Sequence, residues 1–345
     1  MDENKEIKCV VWDLDNTVWD GVLIESNDVQ LKPDIVQIIR TLDERGILNS
    51  ISSKNDYDLA MAKLEEFGLN DYFLYPEIHW NAKSFALEQI QKNINFGMDA
   101  ILFVDDQEFE LEEVKNVHPL VNCLNSSEYL TLLTNPRLSP RFITVDSARR
   151  RKMYQDDYKR KQAESEYQGP SDAFLASLNM KFSIYPAELD DLKRSEELTI
   201  RTNQLNATGK TFSYDELNAL RISDDYQLLV CELEDKYGTY GKIGLALIHM
   251  GEEYWRLEMM LMSCRVISRG VGTVLLTHIM KQAKKQNKIL LADFRDTGRN
   301  RMMNVSFRFA GFREKTSDEN GNVVFEHDLN NIMNFPDYIE LSINE

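Results

Sequence analysis

Nothing in this sequence is long and apolar enough to cross a bilayer: nowhere do 18 apolar residues run together, and the opening MDENKEIKC has no basic segment leading into an apolar one. The expectation is a soluble, unexported protein of the cytoplasm. Positive charge is scarce too. Lys+Arg 40 against Asp+Glu 57 gives a net charge of −17, a poor basis for the clustered Lys and Arg that release counterions from a phosphate backbone. Nucleic acid and membrane are therefore not expected partners, which leaves small molecules and proteins. Cysteine is sparse: Cys9, Cys123, Cys231 and Cys264 stand far apart, with no CxxC pair and no metal-like cluster with the five histidines. Free thiols in a reducing compartment follow. Internal repeats and low-complexity tracts are also missing.

What is present supports two cores, since 345 residues with 43% apolar content exceed one ordinary domain. Over the first 125 residues short β-rich runs (Lys8 to Trp12, Ile47 to Ser52, Ala100 to Val104) alternate with helical periodicity in Lys32 to Arg45 and Tyr57 to Phe67. Gly46 and Gly68 stand where those helices should stop. The pattern predicts a doubly wound α/β domain that binds its ligand at the carboxyl ends of the strands. From Asp146 to Gln168 a charge-rich stretch of both signs predicts an exposed linker helix, ended by Gly169-Pro170. Strand-like runs downstream (Gln227 to Glu232, Gly244 to Met250, Tyr254 to Met262, Ile289 to Phe294) mixed with helices at Asp190 to Asn203 and Thr273 to Gln286 predict a second α/β or α+β domain. The expected boundaries are 1–140, a linker at 141–169, and 170–345.

In CVVWDLDNTVWDGV, Asp13 and Asp15 lie just past an apolar strand and two residues apart, which in a strand puts both on one face. Carboxylates this close repel and call for a cation, and hard oxygen donors favour Mg²⁺. Asp105 and Asp106 follow the apolar run AILFV and would meet the first pair at the sheet edge, making four candidate metal ligands. Phosphoryl transfer needs positioning and charge neutralisation. Ser53, in SISSKND, offers a hydroxyl, and Lys83, in HWNAKS, offers the positive charge. Each piece alone has an ordinary reading: a DxD is usually a turn, Lys83 a surface lysine, Ser53 a strand end. Asp20 and Glu25 read as loop residues.

DLDNT, SKN, a lone lysine and DD in this order resemble the haloacid dehalogenase (HAD) superfamily, specifically its capless subfamily IIIC. The resemblance implies that Asp13 attacks phosphorus to form an aspartyl-phosphate while Asp15 serves as acid and then base. Ser53, Asn55 and Lys83 would bind the phosphoryl group, and Thr17 would orient the first loop. Asp105 would join Asp13 and the Asp15 main chain around Mg²⁺, with Asp106 in support.

Further on, YWRLEMMLMSCRVISRGVGTVLLTHIMKQAKKQ reads as a strand, a glycine-containing loop and an amphipathic helix, whose N-terminal amides suit a phosphate. With the strand near Leu290 and NVSFRFAGF, it resembles the N-acetyltransferase (GNAT) fold. The loop form R-x-x-G-x-G/A is matched at Arg269 and Gly272 and departs at Val274, which argues against ordinary acetyl-CoA chemistry. A capless HAD-type Rossmannoid parallel sheet followed by a GNAT-like α+β domain resembles the FkbH family of polyketide biosynthesis over essentially the whole chain, including RTNQLN, MSCRVISRGV and FPDYIEL. That family resemblance implies a bifunctional glyceryl transferase and phosphatase. It would take a small phosphorylated three-carbon acyl donor, 1,3-bisphosphoglycerate, and load a glyceryl unit onto the phosphopantetheine thiol of an acyl carrier protein. The alternative is a plain Mg²⁺-dependent phosphatase with a non-catalytic docking domain.

Acyl transfer needs a thiol. Cys264, at the strand end where a GNAT fold would receive the pantetheine arm, is the candidate nucleophile; Cys9 is the competitor, and any cysteine can be a small core residue. The polar run Arg201, Thr202, Asn203, Gln204, Asn206 is a candidate for holding acyl or pantetheine amides, or else a solvated helix end. An acidic carrier would need a basic surface, either Arg149 to Lys152 or Lys281, Lys284, Lys285 and Lys288, unless these are solvated helix faces.

Overall fold

The structure, a computed structural model, describes residues 6–344; residues 1–5, part of the opening read above for export signals, and residue 345 lie outside the described residues. The chain divides between Gln155 and Asp156 into two compact units. Among the described residues no helix is long and apolar enough to cross a membrane.

In the first unit Cys9–Trp12 forms β1, buried at every position. Alternate side chains point to opposite faces, so Val10 and Trp12 enter one apolar core and Cys9 and Val11 another. Two covered faces explain a strand that is apolar without alternation. A short hairpin, β2 (Trp19–Asp20) and β3 (Gln30–Leu31), leads to α1 (Ile35–Glu44), β4 (Leu48–Ser53), α2 (Tyr57–Glu66) and β5 (Glu77–Ile78). Then come α3 (Lys83–Ile94), β6 (Ile101–Asp105), α4 (Glu108–Val117) and β7 (Asn122–Asn125). Helices α1 and α2 supply the core around Trp12, α3 and α4 the core around Val11.

The parallel sheet runs β5-β4-β1-β6-β7. Since β4 lies on one side of β1 and β6 on the other, the winding reverses at β1, which is where such sheets open a crevice at their carboxyl ends. Residues 21–29 lie within the hairpin.

The charged stretch beyond Thr144 is helical, as α5 (Val145–Ala148) and α6 (Arg150–Glu166), but the expected exposure is not what is found. Met153, Tyr154, Asp156, Asp157 and Arg160 are buried. Charge misled the sequence reading because these charges have internal partners. Within the first unit Arg150 Nη1 donates to Gly46 O at 2.5 Å, Arg151 Nε to Asp43 at 2.9 Å and Tyr154 Oη to Ile94 O at 3.2 Å. Gly46, with φ +72, is doubly required, because a Cβ there would stand 2.6 Å from Arg150 Nη1. Within the second unit Arg160 donates to both oxygens of Asp235 at 2.7 and 2.9 Å and lies 3.8 Å over the Tyr240 ring.

The second unit continues with α7 (Ser171–Ser177), β8 (Met180–Pro186), α8 (Leu192–Arg201), α9 (Tyr214–Arg221), β9 (Tyr226–Asp235), β10 (Gly238–Met250) and β11 (Tyr254–Met262). It ends with α10 (Val271–Lys285), β12 (Ile289–Arg295), α11 (Arg301–Phe309), β13 (Arg313–Ser317), β14 (Asn322–His327) and β15 (Ile339–Ile343). The sheet order is β13-β14-β12-β11-β10-β9-β8-β15, antiparallel except for the parallel pairs β11/β12 and β8/β15. Helices α10 and α11 cover one face and α8 and α9 the other. Both fold expectations hold: a parallel α/β sheet of HAD type, then a GNAT-like α+β sheet. Val274, where the loop pattern departs, is a buried core residue of α10.

Asp235→Ala should strand the Arg160 guanidinium, both side chains of the pair being fully buried, and cost about 3–5 kcal/mol. Urea unfolding that registers a loss below about 1 kcal/mol would contradict this reading of the pair.

Candidate active site

Asp13 follows β1 directly and its N–H donates to Val104 O of β6 at 2.9 Å. Ser53 ends β4, Asp105 ends β6, and Lys83 opens α3. Parallel pairing of β4, β1 and β6 therefore brings Asp13, Ser53 and Asp105 to one sheet edge, and the start of α3 brings Lys83 to them. Lys83 is no surface lysine. It is buried, with Nζ hydrogen-bonded to Asp13 Oδ1, 3.1 Å from Asp105 Oδ2 and donating to Ser52 O at 2.6 Å. Burial opposes its charge, yet Asp13 and Asp105 outweigh that and hold the ammonium pKa above the ordinary lysine value. The helix start that carries it is clamped: Ser84 N–H donates to Glu113 Oε2 at 3.0 Å and Ser84 Oγ to Oε1 at 2.5 Å.

Asp13, Asp105 and Asp106 each present an oxygen, all within 4.8 Å of one another. Burial pushes the Asp105 carboxyl up to about 7, against the pull of Lys83; burial, then the Asp13 charge, raises Asp106 as well. Asp106 Oδ1 is buried without a hydrogen-bond partner. One ammonium among three carboxylates leaves negative charge and an unsatisfied oxygen, a donor set that fits a small hard divalent cation.

Of the four carboxylates expected to gather, that of Asp15 lies outside this cluster, which leaves only its main chain for the role the resemblance implies. Its Oδ1 accepts from Trp19 Nε1 at 2.8 Å and Leu23 N–H at 3.1 Å, and its Oδ2 from Asn55 Nδ2 at 3.0 Å. The same-face argument applies inside a strand, but β1 ends at Trp12, and Asn16, at φ 55, bends the loop. Burial raises the Asp15 carboxyl, while the Trp19 and Leu23 donors oppose the rise. Trp19 is the contributor that sequence reasoning missed; its one visible signal was an indole four residues beyond Asp15. Thr17 is buried, but its hydroxyl has no hydrogen-bond partner. In the same loop Asn16 Oδ1 accepts from Gly21 N–H at 3.1 Å. Ser53 and Asn55 are buried at the end of β4 and just beyond it.

In the second unit Cys264 opens the 3-10 helix Cys264–Arg269, directly after β11, and is half-buried. Cys9, its competitor, is fully buried in β1, and that burial pushes its thiol pKa far up. Arg269, expected at a phosphate, is buried and turned inward, with Nη1 and Nη2 each 3.2 Å from Glu164 Oε2. The glycine this loop requires is Gly270, at φ +76 and with a would-be Cβ 2.6 Å from Tyr338 Oη; a Cβ on Gly272 would meet nothing nearer than Met262 Cγ at 3.8 Å.

Arg201 pairs with Glu197 at 3.2 Å, and Asn203 is exposed. Asn206, expected to hold substrate amides, has its own amide engaged: Oδ1 accepts from Thr208 and Gly209 N–H at 3.2 and 2.9 Å, and Nδ2 donates to Lys210 O at 3.2 Å. Strands β11 and β12 pair over Tyr254–Leu257 and Ile289–Ala292 and then part. Residues 205–207 lie between them, through Ala207 N–H to Met260 O at 2.9 Å, Met262 N–H to Leu205 O at 2.9 Å and Arg295 N–H to Ala207 O at 3.0 Å. Asn300, fully buried, donates from Nδ2 to Asn206 O, Ala207 O and Arg295 O. Neither basic run is a bare cationic surface: Arg150 and Arg151 are bound as described, Lys281 lies 3.8 Å over the Phe335 ring, and Lys288 donates to Glu252 O at 2.6 Å.

No family model matches the chain. Magnesium-dependent phosphatase 1 of Homo sapiens is 25% identical over 146 residues, 37% of this chain and 82% of that protein. The N-terminal part of BF1531 from Bacteroides fragilis, containing a phosphatase domain complexed with Mg, is 26% identical with a TM-score of 0.37, covering 40% of this chain and 42% of that one, under half its length. The ribosomal-protein-S18-alanine N-acetyltransferase of Escherichia coli is 15% identical with a TM-score of 0.34, covering 42% of this chain and 92% of that one.

Titration with a divalent cation should raise the melting temperature, the stabilisation reaching about 2.7 kcal/mol at a hundredfold excess over Kd. Asp106→Ala should abolish the rise. An equal rise in that variant would place the cation elsewhere.

Proposed function

We propose that the first unit is a Mg²⁺-dependent phosphoryl-transfer site working through an aspartyl-phosphate on Asp13. The observation that carries this reading is the buried Lys83, held between Asp13 and Asp105 beside a three-carboxylate cluster. The likeness to the human magnesium-dependent phosphatase supports it. Asp13 attacks phosphorus as the bond to the leaving oxygen breaks, and Asp15 donates a proton to that oxygen. Asp15 then takes a proton from water, whose oxygen attacks phosphorus, releasing phosphate and restoring Asp13. Burial, which raises the Asp15 carboxyl, favours the protonated form the first step uses. Lys83 offsets charge on the phosphoryl oxygens and keeps Asp13 aimed. Asp13, Asp105 and Asp106 would hold Mg²⁺, which when bound would add to the neutralisation of those oxygens. Ser53 and Asn55 line the phosphoryl position.

The finer reading is that this step serves acyl transfer. A thiolate attacks the C1 carbonyl of 1,3-bisphosphoglycerate and expels inorganic phosphate from C1, Asp13 removes the phosphate on C3, and the phosphopantetheine thiol of an acyl carrier protein takes the glyceryl unit as a thioester, freeing the first thiolate. Cys264, half-buried just past β11, is the proposed acyl-carrying residue. The family resemblance across both units supports this. A second reading, a phosphatase whose second unit only docks a partner, draws on residues 205–207 filling the gap between β11 and β12.

Intact mass spectrometry of a holo carrier protein incubated with enzyme and 1,3-bisphosphoglycerate separates the two. A glyceryl mass increase supports transfer; an unchanged carrier with free phosphate supports docking. Cys264→Ala should lose loading and keep phosphate release. In the pH–rate profile, Trp19→Phe removes a donor that favours ionised Asp15. Its pKa should therefore rise further, and the limb assigned to Asp15 should move to higher pH; a limb that stays put or moves down would refute the contact's role.

A further inference from the structure

Helix α11 is apolar on two sides. Met303, Phe307 and Ala310 point into the core, yet Met302, Val305 and Phe309 are 48%, 52% and 76% exposed. At 3.6 residues per turn, Arg308, Arg301, Val305, Phe309 and Met302 share one outward arc of roughly 120°. Solvated helix faces are rarely built this way, and Met, Phe and Arg are residue types enriched at protein interfaces.

The charge here is opposite to that of the molecule. Between Arg295 and Arg313 the chain carries five arginines against one aspartate, in a protein of net charge −17. Arg295, Arg299, Arg301, Arg308 and Arg313 are exposed. Among the described residues Arg299 and Arg301 have no ion pair, while Arg308 meets Glu314 at 3.1 Å on the surface. Nucleic acid would not match the apolar centre. A protein surface with an apolar helix edge and acidic flanks matches both features.

Placement adds to this. Helix α11 starts at Asn300, whose side chain ties Asn206, Ala207 and Arg295 where β11 and β12 part. Cys264 follows two residues after the end of β11. The first turn of α11 is thereby tied to the place where β11 and β12 part.

We infer that the outward face of α11, with Met302, Val305 and Phe309 at its centre and Arg299, Arg301 and Arg308 at its rim, docks the acidic helical carrier protein. This rests on the acyl-transfer reading above. Rim charges steer encounter and make binding salt-dependent, while the apolar centre sets residence time.

The test measures affinity for a holo acyl carrier protein of fatty-acid synthesis, using wild type, Arg299→Glu/Arg301→Glu and Val305→Ser/Phe309→Ser. All four positions are exposed, and phosphate release from p-nitrophenyl phosphate, together with the melting temperature, reports that each variant is folded. Each double variant should bind at least tenfold more weakly with unchanged phosphate release, and wild-type binding should weaken as salt rises. Wild-type affinity in both variants overturns the docking face while leaving the acyl-transfer reading standing. A wild type that does not bind the carrier overturns both. Self-association abolished by the variants, with carrier affinity unaltered, assigns the face to a second copy of the chain and likewise overturns the inference.

Discussion

A lysine ammonium buried between two aspartates at the end of a parallel sheet sets the terms for the first unit. Lys83 contacts Asp13, Asp105 and the Ser52 carbonyl, so it links three adjacent strands at their carboxyl ends. Burying such a charge is costly unless paired and hydrogen-bonded, and this one has all its partners. The geometry follows from topology: the winding reverses at β1, α3 begins at Lys83, and Glu113 pins the first turn of that helix through Ser84. The arrangement still leaves three carboxylates with one cation. That imbalance, with the unpartnered Asp106 oxygen, turns a structural ion pair into a site that needs a metal.

Much of this was legible in the sequence because the signals were local. A continuous apolar run followed by an acid marks a buried strand end, which singles out Asp13, Asp105 and Asp106; Lys83, in HWNAKS, has no such local signal and stands out only beside the other motifs. What escaped depended on partners distant in space or on a bent backbone. Asp15 leaves the metal cluster because the strand stops before it and the Trp19 indole captures its carboxylate. The charges of α6 look solvated in one dimension, yet Arg160 finds Asp235, seventy-five residues away. Arg269 matches a phosphate-loop pattern by spacing, but its guanidinium faces Glu164.

In the second unit the loop form R-x-x-G-x-G/A and the local geometry put weight on different residues. Gly270, not Gly272, carries the steric demand, the arginine is neutralised from within the unit, and residues 205–207 occupy the divergence of β11 and β12. Taken with a basic, apolar α11 in an acidic chain, they favour a partner that brings its own docking surface.

The account's central claim is that phosphorus is transferred to Asp13. The direct measurement is acid quench of a single turnover with p-nitrophenyl phosphate and Mg²⁺, followed by peptide mass spectrometry. A phosphoryl group on the peptide containing Asp13, lost in Asp13→Asn, is the predicted result. Phosphate release that persists in Asp13→Asn, with no phosphorylated peptide at any time, would contradict it.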